Sequence, residues 1–340
     1  MGKKEYLGIV WFALLLAVTP FVITNDYYIG ILVFAGFNAL SCIGLSLLMG
    51  YAGQISLGHA AFLGIGAYAS ALLTAHQGLP PFIALVAGVL LSIVMALVIG
   101  IPSLRLRGHY LAMATLGFGS IVHIFLVAAV DLTGGPAGVS EIPPLSVLGF
   151  PINSDIRFYA FIWIIVLLGL FVALNIIHSR SGRALRAIHG SEAAAGSSGI
   201  NTSWYKIRIF IISAVYTSIA GSLYAHYMSF IDPDPFGIMH SVLLVTMVAV
   251  GGMHQIWGAV TGAILLTVLP EFLSAISGFF EQYGIEYQSD YDTLIYGAIL
   301  LSIMLFLPEG IFNGIGESFK KLKKSARKQP PSPRGLNGHE

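Results

Sequence analysis

Charged residues are scarce in this sequence. Lys, Arg, Asp and Glu make up 10% of its 340 residues, whereas a soluble domain carries about 25%. Hydrophobic residues make up 56% of the chain, and its mean hydropathy is +0.83. So little charge cannot cover the surface of a soluble domain of this length, so we predict an integral membrane protein.

Cysteine is nearly absent as well. Cys42 is the only one, which excludes an intramolecular disulfide and a cysteine-rich metal site. We interpret Cys42 as a small packing residue. The formal net charge of +1 provides no strongly basic surface, so we expect no nucleic acid partner.

The short motifs that carry catalysis are also missing. The sequence contains no G-x-x-x-x-G-K-[ST] loop for ATP, no H-E-x-x-H zinc motif and no G-x-S-x-G nucleophile elbow. We therefore expect neither an enzyme active site nor a cofactor in this chain.

Ionisable residues are sparse within the apolar segments. Glu271 and Glu309 are the only acids there, each near a segment end, whereas proton- and ion-coupled transporters usually hold such groups deep in the bundle. The histidines on or beside these segments lack recognisable ligand spacing, so we assign no metal. They are His59, His109, His123, His226, His240 and His254.

Long apolar segments dominate the chain. A membrane-spanning helix needs about 20 mostly apolar residues, and ten segments approach that length. We predict an all-α polytopic bundle of about ten transmembrane helices, and eight remain possible. The third and eighth segments are candidates for broken or re-entrant helices. The ten lie near 6–24, 28–49, 53–75, 81–102, 110–130, 158–177, 209–229, 238–252, 256–276 and 293–313.

Basic residues are unevenly distributed around these segments. With ten spans and a cytoplasmic N-terminus, 16 of the 17 Lys and Arg residues lie inside and only Arg157 lies outside. The positive-inside rule therefore predicts that both termini are cytoplasmic. We divide the chain into a transmembrane domain, 1–315, and a disordered basic tail, 316–340, whose lysines are expected to meet anionic membrane lipids.

The longest basic cytoplasmic loop, 178–208, contains two signals for short helices. Ser181 can cap a first helix and Ser191 can cap a second. A compact pair of helices suits the docking of an energy-supplying partner, and a plain connecting loop is the alternative on spacing alone. The residues involved are Arg183, Leu185, Arg186 and Ile188 in the first helix, then Ala193, Ala194 and Ala195, which Gly196 and Gly199 can end.

The run SGRALRAIHGSEAAAGSSGIN in this loop resembles the coupling loop of ABC importer permeases, in the form found in the branched-chain amino acid permease family. Six other stretches resemble the same family: GYAGQISLGHAAFLGIGAY, LRLRGHYLAMATLGFG, TGGPAGV, AGSLYAHY, VGGMHQIWGAVTGA and LFLPEGIF. Together they cover most of the chain from about 30 to 315. The pattern resembles the M-type permease subunit.

This resemblance implies a set of partners. In that family, a short loop helix fits a groove on an ATPase subunit, and the permease pairs with a homologous second permease. It implies two ABC ATPase subunits, a periplasmic binding protein that selects the solute, and a place in the bacterial inner membrane. It assigns the ATPase contact to Arg183, Arg186, Glu192, Ala193, Ala194, Ala195 and Gly199.

Small residues at helical spacing predict close helix packing, because they let a neighbouring backbone approach. The residues are Ser56, Ala60 and Gly64; Ser213, Thr217, Gly221 and Ala225; and Gly258 with Gly262.

Three uncharged polar residues, Gln54, Ser56 and His59, lie at the expected cytoplasmic end of the third segment. Facing lipid would be unfavourable for them, so they must find protein or water partners. We predict that they contribute to a translocation pathway. A pathway without fixed charge suits a solute that a separate receptor has already selected.

We therefore expect the permease subunit of an ABC importer, with leucine, isoleucine and valine as the default solutes. Urea or short amides, carried by close relatives of the family, are the alternative solutes. A stand-alone facilitator or secondary carrier is the alternative class of protein, and a membrane-embedded enzyme is a third.

Overall fold

The computed structural model of the protein describes residues 3–23, 25–103, 108–147, 150–282, 290–307 and 310–312. Helices account for most of them. They are α1 (Lys3–Val22), α2 (Asp26–Ser46), α3 (His59–Ala75), α4 (Pro81–Ser103), α5 (His109–Ala128), α6 (Val130–Thr133), α7 (Asp155–His178), α8 (Arg180–Gly190), α9 (Glu192–Ser197), α10 (Thr202–Met228), α11 (Ile238–Gly251), α12 (Ile256–Gln282) and α13 (Asp290–Phe306).

Short elements complete the described chain. A π-helical turn, Leu47–Tyr51, extends α2, and two 3₁₀ turns occupy Gly135–Ala137 and Asp234–Phe236. The strands β1 (Ser146–Val147) and β2 (Phe150–Pro151) form a two-stranded antiparallel hairpin between α6 and α7.

Each of the ten predicted apolar segments forms a helix. Seven helical stretches of the described chain are long and apolar enough to cross a membrane, and three further apolar helices are shorter. The short ones include α3 and α11, which the third and eighth segments form. The prediction of an all-α polytopic membrane protein is confirmed.

The third segment is broken at its start. The chain leaves the π-helical turn, passes through Gly53 in the left-handed region (φ +66°), and resumes a helix only at His59. A glycine tolerates this φ because it has no Cβ. Ser56 therefore lies in a non-helical segment, and the prediction that it shares a helical stripe with Ala60 and Gly64 is wrong.

The helices α2, α3 and α10 form the centre of the bundle. In the most apolar 18 residues of each stretch, 78% are buried within Asp26–Tyr51 and 61% within Thr202–Met228, whereas only 6% of Glu5–Val22 is buried. Most residues of α3 are buried as well. The first span therefore lies at the edge of the bundle, and the break at 53–58 lies near its centre.

Contacts between helix ends fix which ends share a side. Glu5 on α1 pairs with His178 at the end of α7, with 3.0 Å between Oε1 and Nε2. On the opposite side, Tyr27 at the start of α2 donates a hydrogen bond to Glu271 on α12. These contacts agree with helices that alternate in direction, while the cytoplasmic location of the termini stays a prediction.

Some sequence predictions fall on residues that the structure does not describe. These are the basic tail at 316–340, the loop residues Arg105 and Arg107, and Glu309.

Candidate functional site

The loop between α7 and α10 folds into the two short helices α8 and α9. Ser179 caps α8, because its Oγ accepts hydrogen bonds from the backbone N–H groups of Ser181 (3.1 Å) and Gly182 (3.5 Å). The prediction of Ser181 as the cap is therefore wrong by two residues. Ser179 has an extended backbone (ψ 179°), as a capping residue requires, and Ser181 is already helical.

The second helix begins as predicted. The Ser191 Oγ accepts a hydrogen bond from the Ala194 N–H at 3.3 Å. Gly196 lies within α9 and does not end it, whereas Gly199 follows the helix in a left-handed conformation (φ +81°). This is the usual geometry at a helix C-terminus.

Two interactions hold these helices to the bundle. The Lys206 Nζ on α10 lies 2.7 Å from Glu192 Oε1 on α9, and the Lys206 side chain is only 6% exposed. Arg186 donates from Nη1 to the Ile177 carbonyl oxygen at 3.0 Å, which ties α8 to the end of α7. The two helices are therefore fixed to the bundle and present a defined surface, which we call the α8–α9 surface, and do not form a plain connecting loop.

The predicted ATPase-contact residues divide into anchors and exposed positions. Arg186 and Glu192 make the anchoring contacts just described, and Ala195 is buried at 3% exposure. The remaining four are exposed: Arg183, Ala193, Ala194 and Gly199. Their contact with an ATPase stays a prediction.

The end of α8 reaches the break in the third segment. A Cβ added at Gly53 would lie 2.7 Å from the His189 Nδ1. The His189 ring also packs edge-on against His254, with 5.4 Å between ring centroids. Partial burial and the neighbouring His254 lower the pKa of His189, so its imidazole is neutral near pH 7.

The polar residues at the break find partners inside the chain. His59 is fully buried, with Nδ1 2.9 Å from the Ser56 Oγ and Nε2 2.6 Å from the Ser213 Oγ on α10. Both ring nitrogens are therefore satisfied by hydroxyl groups. Gln54 differs, because it is 4% exposed and both polar atoms of its amide lack a hydrogen-bond partner among the described residues.

A second buried polar cluster lies farther along α3 and α10. Ser222 donates to Ser70 at 2.8 Å, and Ser70 lies 3.0 Å from the His226 Nε2. The His226 Nδ1 lies 2.8 Å from the Pro143 carbonyl oxygen, which accepts a hydrogen bond from the Nδ1–H. His226 was expected to lie on or beside an apolar segment, but this cluster was not predicted. The four-residue spacing of Ser222 and His226 was the available signal for it.

The predicted packing residues lie at close helix crossings. A Cβ added at Gly221 would lie 1.9 Å from the Leu63 carbonyl oxygen, so α10 and α3 touch at their backbones. Gly64 instead faces Phe236, at 3.0 Å. Ala60 and Thr217 are fully buried.

The G-x-x-x-G pair packs α12 on α11. A Cβ added at Gly258 would lie 2.6 Å from the Gly251 carbonyl oxygen, and one added at Gly262 would lie 2.0 Å from the Met247 carbonyl oxygen. Backbone approach of this kind is what small residues permit.

No group of three or more His, Cys, Asp or Glu residues that could hold a metal ion occurs in the described part of the chain.

Comparison with known proteins agrees with this arrangement. Residues 27–304 match the family model for the permease component of branched-chain amino acid transport systems. Two relatives are high-affinity branched-chain amino acid transport system permease proteins named LivM. The Escherichia coli protein is 30% identical over 91% of this chain and 75% of its own length. The Salmonella typhimurium protein is 31% identical over 79% of this chain and 66% of its own.

A different permease of the same transport system is also similar. The LivH protein of Escherichia coli is 28% identical over 80% of this chain and 90% of its own length. No solved structure shows a significant match. A polytopic bundle, a held pair of loop helices and a family match over most of the chain lead to one conclusion: this protein belongs to the family of branched-chain amino acid transport permease components.

Proposed function

We propose that this chain is the membrane subunit of an ABC importer that moves branched-chain amino acids across a bacterial inner membrane. The observation that carries the proposal is the held α8–α9 surface, within a chain that belongs to a permease family. The relatives' names supply the solute class, because their transport systems are named for branched-chain amino acids.

The α8–α9 surface suits an ATPase partner. Ala193 and Ala194 are exposed on a helix whose first residue, Glu192, is anchored to Lys206. Small exposed side chains let a partner surface approach the backbone closely, and the ion pair keeps the helix from swinging free. Two ATPase subunits are needed in the proposed complex, one for each permease.

The second permease follows from the similarity to both LivM and LivH. Escherichia coli has a permease protein of each name, and this chain is similar to both. We assign to this chain the M-type role, paired with a homologous H-type permease. In this arrangement the transmembrane domain is 1–315, both termini are cytoplasmic and the tail at 316–340 meets membrane lipid.

The interior polar residues suit a pathway for a solute chosen elsewhere. His59 is held between two hydroxyl groups without a charged partner, and the Gln54 amide has no partner in the described chain. Buried amides are rarely left unpaired, so Gln54 is available to water or solute when the complex opens. Selection then rests with a periplasmic binding protein.

Uptake by the reconstituted complex tests the proposal. The chain is placed in proteoliposomes with its partner permease, ATPases and binding protein, and radiolabelled leucine, isoleucine, valine, urea and acetamide are offered. The proposal expects accumulation of the three amino acids only with ATP and binding protein present. Uptake of leucine by the chain alone without ATP would overturn it, and uptake of urea instead would overturn the solute class.

A further inference from the structure

The α8–α9 surface meets the membrane bundle at His189, the penultimate residue of α8. On one side the ring occupies the space left by Gly53, where an added Cβ would lie 2.7 Å from its Nδ1. On another side it packs perpendicular to the His254 ring, at an interplanar angle of 88°. His189 therefore contacts two elements that are 201 residues apart in the chain.

Those two elements are themselves packed together. His254 lies in the turn between α11 and α12, and its Nδ1 is 3.3 Å from the Gly50 carbonyl oxygen. A Cβ added at Gly50 would lie only 1.8 Å from the Met253 carbonyl oxygen. Ser46 donates to that same oxygen at 3.4 Å. The turn and the break form one contact region, which we call the inner junction: residues 46–53 and 252–255.

The inner junction leads directly to the polar residues of the pathway. Gln54 follows Gly53, and its amide lacks a partner among the described residues. Ser56 follows two residues later and contacts His59 through hydrogen bonding. Gly53 and Gln54 still donate backbone hydrogen bonds to Met49 and Leu48, whereas the Leu57 N–H donates to the Thr115 side chain. Because 53–58 is not helical, it can shift without breaking a continuous helical ladder.

We propose that His189 is a positioning residue that transmits movement of the ATPase-docked α8–α9 surface to the segment 53–58, through its contacts with Gly53 and His254. This inference rests on the proposed function, because it requires an ATPase that moves the loop. Displacing His189 pushes on Gly53 and on the turn, which shifts the segment that carries Gln54 and Ser56. Near pH 7 the ring is neutral, so the contact there is steric and depends on the shape of the ring.

The first test removes the ring and then restores it. In the reconstituted complex, His189→Ala deletes the contact, and His189→Phe keeps a ring of similar width. The His189→Ala complex is expected to retain its ATPases, but leucine uptake per ATP hydrolysed falls about tenfold, within the usual range of coupling between sites. The His189→Phe complex keeps most of the wild-type ratio. A wild-type ratio in His189→Ala would overturn the inference, as would equal losses in the two variants.

A pair of glycines provides a matched second test that leaves His189 in place. Gly53 (φ +66°) and Gly78 (φ +64°) share the same strained conformation for an alanine, but an added Cβ meets nothing within 4 Å at Gly78. Gly53→Ala is expected to lower uptake per ATP, while Gly78→Ala leaves it unchanged. Equal ratios in the two variants would mean that contact with His189 does not matter.

The outcomes separate this inference from the function on which it rests. If the wild-type complex shows no ATP-dependent leucine uptake, the proposed function fails. If the wild-type complex is coupled and both His189→Ala and Gly53→Ala match it, only the transmission role of His189 fails. Spatial contact alone does not establish coupling, so the ratio of uptake to hydrolysis is the deciding quantity.

Discussion

The crossing of α3 and α10 sets the geometry at the centre of the bundle, and a single methyl group tests it. In Gly221→Ala, the new Cβ would lie 1.9 Å from the Leu63 carbonyl oxygen, whereas ordinary contacts begin at 3.4 Å. The two helices must therefore separate by about 1.5 Å, since a backbone oxygen cannot rotate away. Overpacking costs about 1–3 kcal/mol, and we expect this variant near the upper end.

Alanine substitution at two other glycines is expected to change stability by smaller amounts. At Gly64 the added Cβ would lie 3.0 Å from Phe236 and 3.3 Å from Leu126, a much milder overlap than at Gly221. We expect a cost of about 1 kcal/mol there. At Gly117 on α5 nothing lies within 4 Å. Alanine at an unobstructed helix interior stabilises by about 0.5–1 kcal/mol relative to glycine, so Gly117→Ala is the matched control.

The assay heats each purified variant in detergent and measures the fraction that stays monodisperse on size exclusion. The midpoint temperature should fall in the order Gly117→Ala, wild type, Gly64→Ala, Gly221→Ala. If Gly221→Ala melts with Gly117→Ala, then α3 and α10 do not touch at this residue, and the packing of the bundle centre is refuted.

Three further predictions concern the loop and the topology. Glu192→Gln should destabilise the α8–α9 surface more than Lys206→Met does, because it leaves the ammonium of Lys206, whose side chain is only 6% exposed, without its carboxylate partner. The loop should therefore be proteolysed faster in Glu192→Gln, and equal proteolysis rates would contradict this. A reporter that is active only in the cytoplasm should be active when fused after Phe319, and one that is active only in the periplasm should be inactive there; the opposite result would contradict the predicted topology. The pKa of His189 is lowered, so the stabilisation that its neutral ring provides is complete above pH 6.5 and is lost as the pH falls through the lowered pKa. Leucine uptake per ATP hydrolysed should therefore fall at acid pH in the wild type but less in His189→Phe, and parallel pH profiles of the two proteins would contradict this origin.

The helices could be predicted from sequence because each apolar segment is long and bounded by polar or turn residues. Lipid and core both demand apolar side chains, so length and composition alone locate the spans. The orientation that the distribution of basic residues predicts stays a prediction. In the loop, Ser191 was predictable as a cap from its position before an alanine run.

The break at 53–58 was harder to predict. The spacing of Ser56, Ala60 and Gly64 is that of a continuous helix, and only tertiary contacts decide against it. Gly50 packs against the backbone at Met253, 203 residues away, and Gly53 adopts φ +66° beside His189. Periodicity along one segment carries no record of such long-range contacts.

The cap of α8 shows a local limit of the same kind. Ser179 and Ser181 are both adjacent to the helix start, and either hydroxyl can bond to nearby N–H groups. The choice depends on where α7 ends, and His178 is still helical there. The contact of Glu192 with Lys206 likewise depends on how α9 turns back onto α10, which sequence spacing leaves open.

The most direct test of the account is the coupling of leucine uptake to ATP hydrolysis in complexes that carry Ala194→Trp. Ala194 is exposed on α9, so the substitution should leave folding and membrane insertion intact. If α9 docks on an ATPase, the indole cannot fit against the partner surface, and both leucine uptake and binding-protein-stimulated ATP hydrolysis should fall together. Wild-type uptake and hydrolysis by the Ala194→Trp complex would contradict the assignment of this surface as the ATPase contact.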